Sequence, residues 1–293
     1  MNESFSWAHF DFSDPEQVSR VKAEPEINEI IEHALLDDDS RPRALVMPEG
    51  TLLILRGVNL NPGSDIEDMI SIRVWARQDR VISTARRSLR SVAALEAEVA
   101  SGTGPANGGE FLCRLIEKLG DRMSEAVEQL EEKLEAAENQ VAETLKIARN
   151  SPFSVLRRQC ARIRRYLGPQ REALSHLLKS PGELLGPGDV DAIHEETNRL
   201  TLILEDLDLV RERAMVAQEE YLGIVAHEQN ARMLLLSIVA ALFLPLSFVT
   251  GLMGMNVAGL PGTVNESAFL ILVLLMLAIG GGILLLFRFR NWF

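Results

Sequence analysis

The period of the hydrophobic positions changes along the chain. Between residues 43 and 85 apolar residues come in short β-rich bursts: RALVMP and TLLILRGV flank Glu49-Gly50, and MISIRVWA and DRVISTA meet at Gln78-Asp79. This pattern predicts two hairpins. PEINEIIEHALL, ahead of them, predicts a helix started by Pro25 and Glu26. A Gly-rich break at 101–109, SGTGPANGG, ends the mixed α and β part, and everything after it reads as helix. Met123, Val127, Leu130, Leu134, Ala137 and Val141 recur at alternating intervals of four and three, a heptad seam on a long amphipathic helix. The next stretch, FSVLRRQCARIRRYLGPQREALSHLLK, clusters Arg157, Arg158, Arg162, Arg164, Arg165 and Arg171. Its expected partner is the acidic helix at 125–138, in an antiparallel pair, in preference to anionic lipid or nucleic acid. After SPGELLGPGD a last helical pattern begins with Asp189 as N-cap and meets no proline before Pro245. Carried to Gly254, it would be about 100 Å long at ~1.5 Å per residue.

Two runs break the amphipathic pattern. Met233 to Met255 and Ala268 to Phe287 carry no charged residue, and roughly 20 such residues cross a bilayer core. Gly280, Gly281 and Gly282 inside the second would permit close helix approach. Arg232 precedes the first run, Arg288 and Arg290 follow the second, and the loop between them holds only Glu266. The positive-inside rule then places both termini in the cytoplasm and the short loop outside. The expected organisation is a mixed α/β cytoplasmic subdomain at 1–100, a helical one at 110–185, a stalk helix at 189–255 that becomes the first span at 233–255, an outer loop at 256–267, a second span at 268–287 and a cytoplasmic tail at 288–293.

Composition sharpens this division. Removing Arg232, Glu266, Arg288 and Arg290, together +2, from the net charge of −12 leaves −14 on residues 1–231. Such acidity argues against nucleic acid and suits solubility or a cationic partner. On the last helix Glu195, Glu196, Glu205, Asp206, Asp208, Glu212, Glu219, Glu220 and Glu228 form a solvated face, and around an axis they would also concentrate cations. Cys113 and Cys160 make no CxxC pair and suggest no disulfide framework. The N-terminus, MNESFSWAHFDFSDP, has no basic segment leading into an apolar core, so no cleaved signal peptide is expected. His9, His33, His176, His194 and His227 show no paired spacing of the kind a tight Zn2+ site needs.

Two helices cannot surround a water-filled path, so conduction would require several copies around an axis. At a spacing near 3.5, the first span presents Asn230, Ser237, Leu244 and Gly251 at one position and Met233, Ala240, Ser247 and Gly254 at the other. This seam is small or polar apart from Met233 and Leu244, the natural constrictions for gating by dewetting. Small residues also serve close packing between spans, which is the competing reading. Asn230 and Asn256, polar at the two ends, favour a pore lining, and Pro245 frees the Ala241 carbonyl, a mild kink beside Leu244. Between the spans stands GLMGMNVAGLPG, without charge, cysteine or histidine. An asparagine amide has a carbonyl acceptor and no formal charge, so a ring of Asn256 side chains would bind a cation's water shell without trapping the ion. Mg2+ in particular gives up that shell reluctantly.

Gly254-Met255-Asn256 at the end of the first of two spans resembles the hallmark of the CorA superfamily of metal-ion transporters. FLPLSFVTGL at 243–252, Asn230, and LRRQCARIRRYLGPQREAL at 156–174 extend the likeness. LEDLDLVRERAMVAQEE at 204–220 and NVAGLPG after the motif are most similar to the ZntB zinc-transporter branch, whereas Met255 matches the magnesium and cobalt form. The resemblance implies an α+β cytoplasmic domain with a β-sheet flanked by helices, joined by a very long helix to two C-terminal transmembrane helices in a homopentameric funnel of the inner membrane. It implies that Gly254, Met255 and Asn256 select the cation at the mouth, Asn256 through the hydration shell, and that Asn230, Met233, Ser237, Ala240, Leu244, Ser247 and Gly251 line the pore. The implied partners are further copies of the chain, membrane lipid and divalent cations, with no cofactor beyond the transported ion, zinc favoured. A non-conducting helical scaffold is the alternative from another class. An enzyme is not expected: no paired carboxylates, Ser-His arrangement or phosphate loop stands in a cleft.

Overall fold

The computed structural model describes residues 5–38, 41–143, 151–255, 260–261 and 266–290. Five strands, β1 (Ser6–Asp11), β2 (Arg43–Met47), β3 (Gly50–Gly57), β4 (Ile70–Ala76) and β5 (Arg80–Ala85), form one sheet in the order β1-β5-β4-β3-β2. Both expected hairpins are present, with Leu45 opposite Leu52 and Trp75 opposite Ile82. β4 is buried at every position and β3 at all but its first residue, which explains their nearly continuous apolar runs: both faces of the sheet are covered. β1 was not anticipated. It joins β5 in parallel, Trp7 beside Val81, a long-range pairing that carries no local turn signal.

Helices α1 (Pro15–Lys22) and α2 (Glu29–Leu36) close one face, where Phe10, Val21, Ile31, Leu35, Leu52, Trp75 and Ile82 form a core. Side chains alternate along a strand, so Trp7 looks to the opposite face and meets Phe111 of α4 (Gly108–Glu143), ring centroids 4.9 Å apart. α2 begins at Glu29 and not at Pro25. Asn28 Oδ1 accepts the Ile31 amide at 2.9 Å, whereas Pro25 and Glu26 lie in a turn.

Beyond α3 (Arg90–Ala100), α4 and α5 (Pro152–Lys179) precede α6 (Pro187–Met253), 67 residues long. Met123, Val127, Leu130, Leu134 and Ala137 of the heptad seam are buried. Asp189 does not cap α6 as expected. It sits in the first turn, and its Oδ2 reaches back to accept the Gly186 amide at 2.9 Å, with Pro187 opening the helix. The basic helix packs against α4, antiparallel to it, as expected, but among the described residues the polar partners of its arginines lie elsewhere. Arg164 of α5 pairs with Asp208 of α6, Arg157 donates to Gln218 at 3.0 Å, and Arg162 and Gln159 reach Glu67. The acids of α4 are met instead by α6: Arg199 to Asp121 at 2.7 Å and Arg213 to Glu138 at 2.8 Å. Their order makes α6 parallel to α4 and antiparallel to α5. A third helix carrying charge of both signs thus neutralises each of the other two.

By packing, the chain divides into Met1–Tyr221 and Leu222–Phe293. The second unit contains the apolar part of α6 and α7 (Ala268–Phe289), both long and apolar enough to cross a membrane.

Candidate functional site

Along 230–253 of α6 the less exposed residues are Leu234, Ile238, Leu242, Pro245, Leu246 and Val249. Their spacing of three and four selects one side of the helix, and Leu242 turns toward Gly280 of α7, where an added Cβ would lie 3.6 Å from Leu242 Cδ1. Gly281 and Gly282 have no such neighbour within 4 Å. Of the three glycines only Gly280 therefore serves close approach within one chain.

The seam residues fall elsewhere. Asn230, Met233, Ser237, Ala240, Leu244, Ser247 and Gly251 are all exposed in the single chain, Met233 at 64% and Leu244 at 72%. At 3.6 residues per turn their mean direction lies about 140° around the helix from the side that faces α7. Of their side chains, Ser237 Oγ donates to the Met233 carbonyl at 2.9 Å, and beside the seam Thr250 Oγ1 donates to the Ser247 carbonyl at 3.0 Å. Such back-bonding satisfies a hydroxyl in an apolar setting and leaves its second lone pair for water. The Gly254 amide donates to Thr250 O at 2.9 Å as the helix ends, and Met255 is exposed. Asn256 and most of the outer loop lie outside the described residues.

Sequence reasoning stopped the repeat at Asn230, but its seven-residue interval runs further back. Gly223, Val216, Leu209 and Leu202 precede Asn230 at that interval. In the first unit Leu202, Leu209 and Val216 are 60%, 53% and 58% exposed. Counting heptads upstream would have found these side chains.

Of the acidic residues, Glu195, Glu205, Asp206, Glu212, Glu219 and Glu220 are exposed on α6. Glu196 is half-buried, and its carboxyl is pushed up from its ordinary value by burial, against the opposing pull of Arg199. Asp208 and Glu228 are taken up in ion pairs with Arg164 and Arg232. Among the described residues no group of three His, Cys, Asp or Glu side chains could hold a metal ion. His176 and His194, far apart in sequence, line one open groove between α5 and α6, while His227 is exposed. His9 is a structural residue: its Nδ1 lies 2.8 Å from Ser83 Oγ, which also accepts from Trp7 Nε1 at 2.8 Å. Burial pulls its pKa down to about 4.

A mixed α/β unit whose longest helix runs on into an uncharged segment, followed by a second apolar helix, defines a two-span membrane protein. The comparisons with known proteins give the class its family. A family model described as CorA-like Mg2+ transporter protein matches residues 2–288. The divalent cation transporter CmaX of Pseudomonas aeruginosa is 37% identical over 276 residues, 94% of this chain and 83% of that protein. The zinc transport protein ZntB of Yersinia enterocolitica is 30% identical over 286 residues, 98% of this chain and 87% of that one. The structure of full-length CmaX superposes with a TM-score of 0.81 at 38% identity, covering 98% of this chain and 88% of that one. The CorA magnesium transporter of Methanocaldococcus jannaschii shares the fold, with a TM-score of 0.81 at 17% identity over 96% of this chain and 89% of that one. The chain belongs to the CorA-like Mg2+ transporter family. That family comprises ion transporters and not enzymes.

Proposed function

We propose that this protein carries divalent metal cations, zinc favoured, across the inner membrane through a pore made by five copies of the chain around α6. This reading rests above all on one observation: the small and polar seam of α6 is turned away from α7 and exposed in the single chain. Continuation of the same interval into Leu202, Leu209 and Val216 supports self-association along the helix. In this reading a hydrated cation is selected at Gly254, Met255 and Asn256 and passes Met233 and Leu244 as apolar constrictions. Asn230, Ser237, Ala240, Ser247 and Gly251 form the rest of the wall. The termini are cytoplasmic, and the exposed carboxylates of α6 concentrate cations there by their field. No ionisable residue lies between Met233 and Met255, so any proton coupling uses the loop, the cytoplasmic part or water. No resident cofactor is needed.

Zinc is favoured by the likeness to ZntB and by VAGLPG after the motif. Met255 favours a second reading, magnesium or cobalt. Flux of Zn2+, Mg2+, Co2+ and Ni2+ into proteoliposomes, measured in parallel with and without a pH gradient, ranks the ions. Asn256→Ala is expected to bring flux to background, and retained flux would remove Asn256 from the pathway. Absence of flux for all four ions, with cysteines at 237, 244 and 251 unreactive to water-soluble reagents, would leave the scaffold.

A further inference from the structure

The helical part of the first unit carries opposite charges on its two outer flanks. On α4, Glu131 and Glu138 face α6, where Arg213 reaches them at 3.3 and 2.8 Å. Glu128, Glu132 and Glu135 stand about 80° further around the helix, roughly opposite its buried seam, and all three are exposed. On α5, Arg157 and Arg164 face α6. Arg158, Ala161 and Arg165 stand about 80° beyond them, again opposite the buried residues and again exposed. Among the described residues neither the three glutamates nor Arg158 has an ion-pair partner. Arg165 lies over the ring of its neighbour Tyr166, 5.8 Å from the centroid.

The two stripes also share a height. The partners of Arg213, Arg157 and Arg164 place 131–138 of α4 and 157–164 of α5 beside one stretch of α6, residues 208–218. A rotation about any axis parallel to α6 moves neither stripe along that axis, so it can bring the acidic flank of one copy level with the basic flank of the next. Between the flanks the free side of α6 presents Leu202, Leu209 and Val216, more than half exposed, about 160° around that helix from its buried residues. Contact between two different patches of one chain is head-to-tail, the arrangement that closes rings. A two-fold contact centred on either stripe would instead set like charges together, which costs association.

We propose that the acidic stripe of α4 docks on the basic stripe of α5 in the next copy of the chain, so that ion pairs hold neighbouring Met1–Tyr221 units together. This docking rests on the reading of α6 as the helix around which copies assemble, and it adds the surface by which adjacent units recognise each other. Exposed pairs are individually weak and screened by salt, so the contact sets the order and spacing of the units and loosens as ionic strength rises.

The test uses the full chain in detergent with Glu132→Cys and Ala161→Cys together, oxidised with copper phenanthroline at low salt and run on denaturing gels without reductant. The unaltered chain, with Cys113 and Cys160 in place, is the blank. The double variant should give a ladder of cross-linked copies, whereas either new cysteine alone should stay at monomer size. Cross-linked pairs from a single-cysteine chain would show like faces meeting and overturn the proposal. Adding E128R/E135R should reduce the ladder at least about threefold, and R158E/R165E in the same chain should then restore it. Should reversal impair folding, read by thermal melting, the neutral pair E128Q/E135Q is expected to reduce the ladder in the same direction. Light scattering before oxidation separates the outcomes: an assembly that gives no ladder overturns this docking and leaves the pore, and a monomer overturns both. A ladder unmoved by the charge variants would also overturn the docking.

Discussion

His9 should make the cytoplasmic unit acid-sensitive in a calculable way. Its ring is folded against Ser83, with Nδ1 placed to accept while Ser83 Oγ accepts from Trp7. Protonation would turn that ring nitrogen into a donor facing a hydroxyl whose own hydrogen then lacks an acceptor. Burial is the larger cause of the depressed pKa, about 4 against 6.5, with Asp11 pulling the other way. Well above pH 6.5 the ring is neutral folded and unfolded, so it contributes no pH dependence. As pH falls from 6.5 toward 4 the unfolded chain takes up a proton that the folded chain refuses, and stability declines. At pH 5 the deficit is about 2 kcal/mol, approaching 3 kcal/mol near pH 4. For a unit of this size 2 kcal/mol corresponds to about 4–8 °C in melting temperature. The full chain is melted in detergent at pH 7.5 and pH 5, followed by tryptophan fluorescence, because Trp7 and Trp75 both lie in this unit. Carboxylates titrate in the same range, so the informative quantity is the difference between wild type and His9→Gln. That variant should be less stable at pH 7.5 yet lose about 4–8 °C less on acidification. Equal pH slopes would refute the assignment of a neutral, buried ring.

Three further outcomes follow from the packing. Gly108→Ala would put a Cβ 2.0 Å from the Arg77 carbonyl oxygen, a backbone atom that cannot rotate away, and should cost at least about 2 kcal/mol in denaturant or thermal melts. Cys113 and Cys160 have pKa values raised to about 12 and about 11, chiefly by burial; neither should react with maleimide at pH 7.5 until the protein is unfolded, giving a silent background for cysteines placed at 237, 244 and 251. Leu244→Ala should leave folding within about 0.5 kcal/mol of wild type, since the side chain is 72% exposed in the single chain, yet raise proteoliposome flux about tenfold if it is a dewetting gate. The control, Leu242→Ala, removes a residue that turns toward Gly280 and should lower recovery of folded protein without raising flux per molecule.

The amino-acid sequence by itself determined the two hairpins, the burial of the α4 seam, the length of α6 and the position of the two apolar helices. These depend on local periodicity and on charge-free runs, which one stretch of chain contains in full. It also sufficed for the metal-transporter family, through Gly254-Met255-Asn256 and its setting. Only the tertiary structure decided where β1 pairs, because a parallel neighbour 74 residues away, His9 beside Ser83, leaves no nearby turn signal. It decided which helix neutralises the arginines of α5, since net charge per helix predicts attraction but not which of two acidic faces is within reach. It reduced three adjacent glycines to one that meets α6, because rotation around a helix axis cannot be read until the partner is in place. It also brought Arg56 and Arg73 together at the end of the sheet. Strand register made neighbours of two residues 17 apart in the chain, a juxtaposition that no one-dimensional pattern records.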